Sequence, residues 1–485
     1  MHYDVLVLGS GPAGYYSALS CARLGRKTLL VERDRLGGTG FRWGCLPVKM
    51  MLDRLRAPVG ADDDPHDSRH IAAGSPASVI AETVRRIEGV ESRIEERLTA
   101  SGVEVVRGKG RFANPETFLL GRRSISASRI VIATGTEPAG WPGIPIDGRT
   151  VISHKEVMEL AEVPEHLIIL GGDVEGIEFA CLFAHLGGRV TVVEKEPRIL
   201  PGTDADLVEP IERDLRNRGV SLVTGAAARG SSFTEDGISR ITQGAVHRPN
   251  TVVTVEMEDG SRLVGDRVLV TGLRQPNFPE GLEKAGVDHD GQKIGVNANL
   301  QTSCPSIYAV GDINGITGMA HAAIRQALQA AHIIAGRGGG TSSGKGGGDT
   351  HGGDEGNASR TSHTAHAGSP YPRAVYTLPE IAGAGYQELE LESKGIPYRR
   401  RAYRLGDTWR GFSKAIPEGF VKVLAGADER ILGIWICGPD ASEQAALFGP
   451  LLACGLSIDG LRNGQILHPT LGEAILEATL DFNGI

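Results

Sequence analysis

The sequence contains few cysteines and none of the spacings that cysteine-based sites require. The six cysteines among the 485 residues are scattered along the chain, with no C-x-x-C pair and no zinc-type spacing. A zinc site built on cysteines is therefore not expected. Three of the cysteines stand among apolar neighbours and are predicted to be buried thiols: Cys21, Cys181 and Cys454.

Long apolar runs and an excess of basic residues are also missing. No apolar run reaches the ~18 residues that a transmembrane helix needs. The formal net charge of −8 argues against nucleic acid as the main partner. The N-terminal residues have the pattern of a strand with an acid at its head and not that of a signal peptide. We therefore expect a cytoplasmic protein with no membrane span, and its length suggests about three domains.

The chain begins with a complete dinucleotide-binding pattern. An apolar strand at 4–8 is followed by G-S-G-P-A-G, a helical stretch to about Leu24, a second strand at 28–31 and an acid. In this fingerprint the first glycine makes a tight turn and the second admits the pyrophosphate to the helix N-terminus. The third glycine lets the helix pack on the strand, and the acid accepts hydrogen bonds from a ribose. The residues expected to hold the nucleotide are Gly9, Gly11, Pro12, Ala13, Gly14 and Glu32.

A second pattern of this kind occupies residues 167–194, with one departure. A β run precedes G-G-D-V-E-G, and a helix and a strand ending in Glu194 follow. Gly171, Gly176 and Glu194 are expected to bind a second nucleotide, but Asp173 replaces the glycine that admits the pyrophosphate. Two unit charges about 5 Å apart at an effective dielectric of ~20 repel by ~3 kcal/mol, an upper bound because the carboxylate can turn toward solvent. The alternative is a unit that is intact as a fold and weak or silent as a site.

Residues 35–50, R-L-G-G-T-G-F-R-W-G-C-L-P-V-K-M, contain a single cysteine. Cys45 lies near the predicted start of a helix to about Arg56, where the helix N-terminus favours a thiolate. The alternative is a buried, inert thiol. The segment resembles the redox-disulfide segment of the flavoprotein disulfide reductases, the family of dihydrolipoamide dehydrogenase and glutathione reductase, which reads G-G-T-C-x-N-x-G-C-x-P-S-K. The resemblance implies that Cys45 is the flavin-side thiol. It also implies that Gly40 replaces the outer, substrate-attacking thiol, so that the usual internal disulfide cannot form.

Three further segments carry the same resemblance: I-V-I-A-T-G at 130–135, T-S-C-P-S-I-Y-A-V-G-D at 302–312, and H-P-T-L-G-E at 468–473. The last implies a general base, His468, oriented by Glu473 and entering the active site of the other subunit of a homodimer. Thr470-x-x-Glu473 also fits a capping box that opens the last helix. By the same resemblance Lys49 lies near the flavin and pairs with Glu178. The further FAD-binding residues that it implies are Gly38, Thr39, Lys49, Thr134, Gly135, Gly311 and Asp312.

The resemblance covers nearly the whole chain and implies an α/β fold with two Rossmann-like nucleotide-binding domains and a C-terminal α+β dimerisation domain. The expected boundaries are 1–150 with 271–336 for the FAD domain, 151–270 for the NAD(P) domain and 371–485 for the dimerisation domain. Residues 337–370 are rich in Gly, Ser, Thr and His and are predicted to be a disordered linker. A metal site is the less favoured alternative for two groups of residues. One group is the histidines of this segment, His351, His363 and His366, and the other is the acidic polar loop at 60–76.

The resemblance implies an FAD-dependent enzyme that uses NAD(P)H. Because Gly40 stands in place of the first redox cysteine, we do not expect the usual reduction of a disulfide. We predict an oxidoreductase that resembles dihydrolipoamide dehydrogenase but lacks the redox disulfide. It would pass electrons from NAD(P)H through the flavin to a small acceptor such as a quinone, with NADH favoured over NADPH by Glu194. Two alternatives stay open. One is thiol, disulfide or peroxide chemistry at Cys45 with His468 and Glu473 as the acid–base pair. The other is a non-catalytic flavin-binding scaffold or sensor.

Overall fold

The computed structural model describes residues 2–56, 76–235, 251–337, 371–480 and 482. The polar loop predicted at 60–76 and the linker predicted at 337–370, with its three histidines, lie outside the described residues except for their boundary positions. The described chain divides into two compact units. The first comprises the described parts of residues 1–47, 84–137 and 274–366, and the second those of 48–83, 138–273 and 367–485.

Strands and helices alternate at the start of both nucleotide-binding segments, and runs of consecutive strands follow. In chain order the strands are β1 His2–Leu8, β2 Thr28–Glu32, β3 Glu104–Arg107, β4 Gly110–Asn114, β5 Thr117–Leu120, β6 Arg123–Ile132, β7 Thr136–Pro138, β8 Val151–Ile152, β9 His166–Leu170, β10 Arg189–Glu194, β11 Ser221–Thr224, β12 Ala228–Glu235, β13 Thr251–Met257, β14 Arg262–Gly265, β15 Arg267–Val270, β16 Arg274–Pro276, β17 Ile307–Ala309, β18 Arg373–Val375, β19 Glu380–Gly385, β20 Arg399–Arg404, β21 Phe420–Ala425 and β22 Ile431–Gly438.

Helices α1 and α2 end within one residue of the predicted Leu24 and Arg56. They are α1 Pro12–Arg23, α2 Cys45–Arg56, α3 Pro76–Ala100, α4 His154–Val157, α5 Val174–His185, α6 Ala205–Asn217, α7 Ala320–Ile334, α8 Glu388–Ser393, α9 Trp409–Ser413, α10 Ala441–Ala445, α11 Phe448–Ala453, α12 Ile458–Asn463 and α13 Glu473–Leu480. Short 3₁₀ turns occur at Leu282–Ala285, Asp312–Asn314 and Leu405–Asp407, and a π-helical turn at Thr39–Trp43.

The first unit is built on a seven-stranded sheet in the order β3-β2-β1-β6-β5-β4, with β17 also pairing with β6. Strand β1 is parallel to both of its neighbours and is buried on both faces. Val5 and Val7 belong to one core cluster, which includes α1 and α7 residues, whereas Leu6 and Leu8 belong to a second cluster. This division follows from the strand period of two, which sends successive side chains to opposite faces.

The second unit contains a parallel sheet and two antiparallel sheets. The parallel sheet has the order β11-β10-β9-β15-β8, and a three-stranded sheet β12-β13-β14 shares its core through residues such as Ile168 and Val255. The C-terminal sheet has the order β18-β19-β22-β21-β20, and residues of α13 pack in its core. The structure thus has the mixed α/β architecture that was predicted, with two Rossmann-like units and an α+β segment at the C-terminal end. The domain boundaries stay a prediction.

A buried ion cluster ties the parallel-sheet segment of the second unit to its C-terminal sheet. Lys422 on β21 is fully buried, and its Nζ donates to Asp204 Oδ2 at 2.8 Å, Asp206 Oδ1 at 2.7 Å and Glu388 Oε1 at 2.8 Å. Asp204 also accepts the backbone N–H groups at the start of α8. The cluster fixes the first turn of α6 to the sheet because a buried ammonium needs its charge and its donors satisfied.

The prediction that Cys454 is buried is wrong. Cys21 and Cys181 are buried as predicted, but Cys454 is exposed because it follows α11 at a helix end that faces solvent. All six cysteines are thiols and none forms a disulfide. Within the described residues, no helix is long and apolar enough to cross a membrane.

Candidate active site

The first fingerprint closes a tight turn against the end of β1. Gly9 has a φ of +98°, and a Cβ there would lie 2.5 Å from the carbonyl oxygen of Ala133. A Cβ at Gly14 would overlap the carbonyl oxygen of Gly9. Both positions therefore require glycine, as predicted from the fingerprint. Helix α1 then begins at Pro12, the N-terminal position that suits proline.

The N-terminus of α1 is open to an anion. Gly11 is the N-cap residue, no side chain caps it, and the first turn carries no acid. Its hypothetical Cβ would meet only the Cα of Gly38, at 4.0 Å. The backbone N–H groups of the first turn thus have a surface that a pyrophosphate could approach, and the helix dipole favours it.

Glu32 at the end of β2 holds the fingerprint turn in place. Its Oε2 accepts the backbone N–H of Ser10 at 2.8 Å and the Ser10 hydroxyl at 2.6 Å, and its Oε1 accepts the N–H of Asp34 at 3.0 Å. The Ser10 hydroxyl accepts in turn the N–H of Gly37. The carboxylate is buried, and each oxygen keeps further lone-pair capacity. The predicted contact to a ribose stays a prediction.

A polar network joins three sequence segments that were predicted to bind FAD. Arg274 Nε donates to Thr136 Oγ1 at 2.6 Å, and Thr136 Oγ1 donates to Asp312 Oδ2 at 3.2 Å. Arg274 Nη2 also donates to Thr39 Oγ1 at 3.3 Å. The sequence reasoning did not select Arg274 or Thr136 as site residues. Nothing in the sequence indicated that these two distant residues would be partners.

The residues of this cradle fit a bound dinucleotide. The Thr134 hydroxyl is buried and lacks a hydrogen-bond partner within the described residues, so it awaits a ligand or a water. Asn277 fixes the adjoining backbone by donating to the carbonyl oxygens of Thr134 and Gly135. Gly311 has a φ of +77°, and a Cβ there would lie 3.0 Å from Ala13 Cβ. The segment at 302–312, which contains Gly311, therefore packs against α1.

The π-helical turn Thr39–Trp43 occupies the position of the expected redox segment. A Cβ at Gly40 would overlap the ring of Pro12, with Cγ as the nearest atom and Cδ at 2.9 Å. Arg42 is buried, and its Nη1 donates to Glu91 Oε2 on α3 at 3.1 Å. Cys45 is exposed and is the first residue of α2. The turn is thus packed directly on the N-terminus of α1, with no space for a side chain at Gly40.

Lys49 is held by a carboxylate and an aromatic ring. Its Nζ lies 2.5 Å from Glu178 Oε2 and 4.7 Å from the centre of the Tyr376 ring. The Tyr376 backbone N–H donates to Glu178 Oε1 at 3.0 Å. The Lys49–Glu178 pair implied by the resemblance is formed, whereas Tyr376 was missed because its sequence segment indicated only the start of the C-terminal domain. Burial raises the pKa of Tyr376, so the ring stays a neutral phenol at physiological pH.

The second fingerprint has the same turn but a different helix N-terminus. Gly171 has a φ of +113°, and a Cβ at Gly176 would overlap the Gly171 carbonyl oxygen. Glu194 Oε2 accepts the N–H of Gly172 at 2.6 Å, as Glu32 does in the first site. Asp173, however, is the N-cap of α5, and its Oδ1 accepts the N–H of Gly176 at 3.1 Å.

The Asp173 carboxylate is folded into the protein. Its Oδ2 lies 2.5 Å from the point where Gly272 would carry a Cβ, so only a glycine fits beside it. Burial, and after it the nearby charges of Glu175, Glu194 and Glu178, raise the pKa of Asp173 to about 6, although the bond from the Gly176 N–H lowers it. An ionised carboxylate therefore occupies this helix N-terminus above that pH.

The predicted histidine dyad is formed at the C-terminal end. His468 Nδ1 lies 2.6 Å from Glu473 Oε1, and the imidazole is 62% exposed. Glu473 Oε2 accepts the backbone N–H of Thr470, which is one half of the predicted capping box. The other half is missing, because the Thr470 hydroxyl donates to the Leu467 carbonyl and α13 begins only at Glu473. The bond from His468 lowers the pKa of Glu473, so this carboxylate is ionised and can orient the ring.

Comparison with known proteins gives a family for both parts of the chain. Residues 3–327 match the pyridine nucleotide-disulphide oxidoreductase family, and residues 371–479 match the dimerisation domain of the same family. The chain is 30% identical to a dihydrolipoamide dehydrogenase of Chaetomium thermophilum, covering 98% of this chain and 90% of that protein. It is also 30% identical to a dihydrolipoyl dehydrogenase of Bacillus subtilis, covering 99% and 98% of the two chains.

Solved structures with the same fold cover almost the whole chain. The Cu(II) complex of the HOCl-induced flavoprotein disulfide reductase RclA from Escherichia coli superposes with a TM-score of 0.80 at 22% identity, covering 99% of both chains. LpdA from Mycobacterium tuberculosis has a TM-score of 0.81 at 24% identity, again covering 99% of both. These likenesses concern the fold. The two family matches and the relatives at 30% identity establish that this chain belongs to the pyridine nucleotide-disulphide oxidoreductases, FAD-dependent enzymes that use NAD(H) and carry a C-terminal dimerisation domain.

Proposed function

We propose that this protein oxidises NAD(P)H and reduces a small non-disulfide acceptor such as a quinone. The net reaction is NAD(P)H + H⁺ + quinone → NAD(P)⁺ + hydroquinone, in which two electrons and two protons reach the acceptor. The coarser activity, that of an FAD-dependent oxidoreductase of the family, follows from the family matches. The finer proposal concerns the acceptor, and it rests on the segment that would carry the redox disulfide.

The observation that carries this proposal is the packing of Gly40. By the resemblance described above, Gly40 stands where the family has its substrate-attacking cysteine. The ring of Pro12 fills the space that a side chain at Gly40 would need. The turn is further fixed by Arg42, whose guanidinium is paired with Glu91. The packing supports a site adapted to the missing thiol, from which electrons leave by another route than disulfide exchange.

The residues of the chain supply binding, orientation and charge. When bound, FAD would supply the electron-transfer chemistry, as it does in flavoproteins generally. The Gly9–Gly14 turn and the open N-terminus of α1 would hold its pyrophosphate. Arg274 and Thr136 orient Asp312 for hydrogen bonding to the cofactor. Lys49, held by Glu178, provides a fixed cation that stabilises negative charge developing nearby.

The test is an acceptor comparison with the purified flavoprotein. NADH oxidation is followed under anaerobic conditions with a short-chain benzoquinone and, separately, with oxidised lipoamide. We expect quinone-dependent oxidation of NADH and negligible reduction of lipoamide. The assay runs near pH 6, where the Asp173 carboxyl is half-protonated. Lipoamide reduction as fast as quinone reduction would contradict the proposal, because it would show a working disulfide exchange.

A second candidate function is supported by the intact dyad. His468 and Glu473 lie 2.6 Å apart, and a base with an oriented ring suits proton transfer to or from a thiol. In this alternative Cys45 would cycle through a sulfenic acid or a mixed disulfide during turnover with peroxide or a disulfide. The test is Cys45→Ser, with Cys454→Ser, another exposed thiol, as the control. Unchanged turnover of both variants would rule this candidate out.

A further inference from the structure

The N-terminus of α5 already holds an anion of the protein itself. Asp173 Oδ1 accepts the Gly176 N–H, one of the groups that a dinucleotide pyrophosphate would use at a fingerprint of this type. Its Oδ2 is packed beside Gly272, 2.5 Å from the point where a Cβ would lie. The carboxylate thus takes both the hydrogen-bond donor and the favourable end of the helix dipole.

The first fingerprint of the chain provides an internal comparison. Gly11, at the same position of the motif, has no side chain, and no carboxylate caps α1. The third glycine of each motif packs on the carbonyl oxygen of the first, and the acid at the end of the second strand accepts equivalent backbone N–H groups in both sites. The capping carboxylate of Asp173 is therefore a specific difference between two otherwise similar sites.

Acidic side chains face Asp173 from its own helix and from the adjoining strand. Glu175 and Glu178 lie on α5, and Glu194 ends β10. Basic side chains contact two of these acids: the imidazole of His154 on α4, whose Nδ1 lies 2.7 Å from Glu175 Oε1, and Lys49 of α2, which pairs with Glu178. Glu194 accepts the backbone N–H groups of Gly172 and Glu196. The local charge is negative, which opposes both ionisation of Asp173 and the approach of a pyrophosphate.

We propose that Asp173 is a proton-operated gate on the nicotinamide dinucleotide site. The ionised carboxylate caps α5 and excludes the pyrophosphate. When the carboxyl takes a proton from solvent, its charge is lost, and it rotates away so that the Gly176 N–H and its neighbours are free for the ligand. This inference rests on the proposed function, since it concerns the donor site of that reaction. Binding of NAD⁺ or NADH then takes up one proton, and no group is oxidised or reduced in the step.

The pKa of Asp173, raised by burial to about 6, supports this gate because it puts the protonated form within reach of mild acidity. The direction of the pH dependence of dinucleotide binding follows from the linkage between proton binding and ligand binding. Below this pKa the carboxyl is neutral and affinity for the dinucleotide is independent of pH. Above it, each further pH unit weakens binding by about tenfold, since a proton must be taken up for each ligand bound. Over about two pH units this amounts to a ~100-fold loss of affinity.

The experiment is calorimetric titration of the FAD-loaded protein with NAD⁺. Titrations run from about pH 5.5 to about pH 8, each in two buffers of different ionisation enthalpy, so that proton uptake is measured directly. For the wild type we expect a Kd that rises about tenfold per pH unit above pH 6 and an uptake of about one proton per NAD⁺ near pH 8. Asp173→Asn keeps an acceptor oxygen for the Gly176 N–H and removes the charge, and we expect a Kd independent of pH and no proton uptake.

The matched control is Asp259→Asn, which makes the same change of net charge at an exposed turn of the same unit. It should keep the pH slope and proton uptake of the wild type. A pH-independent Kd for the wild type, or an Asp173→Asn variant with the wild-type slope, would overturn the gate. Absence of NAD⁺ binding by both proteins at every pH would overturn it too. NADH oxidation with quinone is measured separately. The two proposals can therefore be contradicted independently, because one concerns the electron acceptor and the other the binding of NAD⁺.

Discussion

At the scale of single residues, Gly40 and Pro12 form a contact that leaves no room for change. The π-helical turn Thr39–Trp43 and the N-terminus of α1 touch at this point, and the flavin pyrophosphate is expected at the N-terminus of α1. A residue with a side chain at 40 must move either the proline or the turn. A cysteine introduced at this position would meet the same obstacle.

We predict that Gly40→Ala destabilises the protein by roughly 1–3 kcal/mol, the usual cost of overpacking, and weakens FAD retention. The free energy of unfolding is measured by urea titration, and FAD release by fluorescence. The control is Gly89→Ala, an exposed glycine within α3 whose added Cβ meets nothing within 4 Å. It should stabilise by about 0.5–1 kcal/mol, because alanine is the better helix former. A Gly40→Ala variant as stable as the wild type would refute the packing argument.

A second prediction at this scale concerns the Lys49–Glu178 pair. Glu178→Gln keeps an acceptor for the Tyr376 N–H but removes the counter-charge of a mostly buried ammonium. We expect a loss of about 1–3 kcal/mol in unfolding free energy and slower flavin reduction by NADH in stopped-flow absorbance. Glu258→Gln is the control, because it removes the same charge at an exposed position of the same unit, and it should leave both quantities unchanged. Equal rates of flavin reduction for the wild type and Glu178→Gln would show that the pair has no role in the reaction.

At the scale of elements, the ion cluster around Lys422 joins α6, α8 and β21. Burial lowers the pKa of Lys422, but the hydrogen bonds to Asp204, Asp206 and Glu388 outweigh it, and the net shift is upward. Burial raises the pKa of Asp206, but the bonds from Lys422 and Arg400 outweigh it, and the net shift is downward. Because the pKa of Lys422 is raised on folding, its ammonium stabilises the fold fully below the unfolded pKa of about 10.4. This contribution is lost as pH rises through the folded pKa. Because the pKa of Asp206 is lowered on folding, its carboxylate stabilises the fold fully above about pH 3.9. This contribution is lost as pH falls through the folded pKa.

We therefore predict that Lys422→Met destabilises by roughly 3–5 kcal/mol at neutral pH, because three carboxylates lose their shared cation. The deficit should shrink as pH falls toward about 4, where the remaining acids take up protons. Urea denaturation at several pH values measures both. Lys414→Met is the control, since Lys414 is partly exposed and lies 3.6 Å from Asp440. It should change stability by less than about 0.5 kcal/mol. A deficit independent of pH would contradict the account of the cluster.

At the scale of the whole molecule, the C-terminal segment carries large exposed apolar side chains. Their exposed fractions are 73% for Trp409, 80% for Phe412, 67% for Leu447 and 77% for Leu467. All lie in the segment that matches the family's dimerisation domain. Apolar surface of this kind is stable in water when a partner covers it, and a second copy of the chain is the partner that the domain match supports.

We predict that Phe412→Glu shifts the protein from dimer to monomer. A charge buried at an interface core without a partner is strongly unfavourable. The mass is measured by light scattering after size-exclusion chromatography across a range of concentrations. Phe233→Glu is the control, because Phe233 is 63% exposed but lies outside the dimerisation segment. It should remain dimeric. A Phe412→Glu variant with the wild-type mass would place the interface elsewhere.

The sequence alone determined the local backbone of this protein. The glycines of both fingerprints, the apolar strand runs and the helical periods predicted the α/β units, because backbone conformation and burial period depend on nearby residues. Thus Gly9 and Gly171 adopt the left-handed turn that their motif requires. Tertiary structure decided which distant side chains meet. Arg274 reaches Thr136 across 138 residues, and Gly40 packs on Pro12. The side chain of Asp173 could turn outward or cap its helix, and in the folded chain it bonds the Gly176 N–H and packs beside Gly272. Local sequence does not specify what lies beside a side chain in the folded chain.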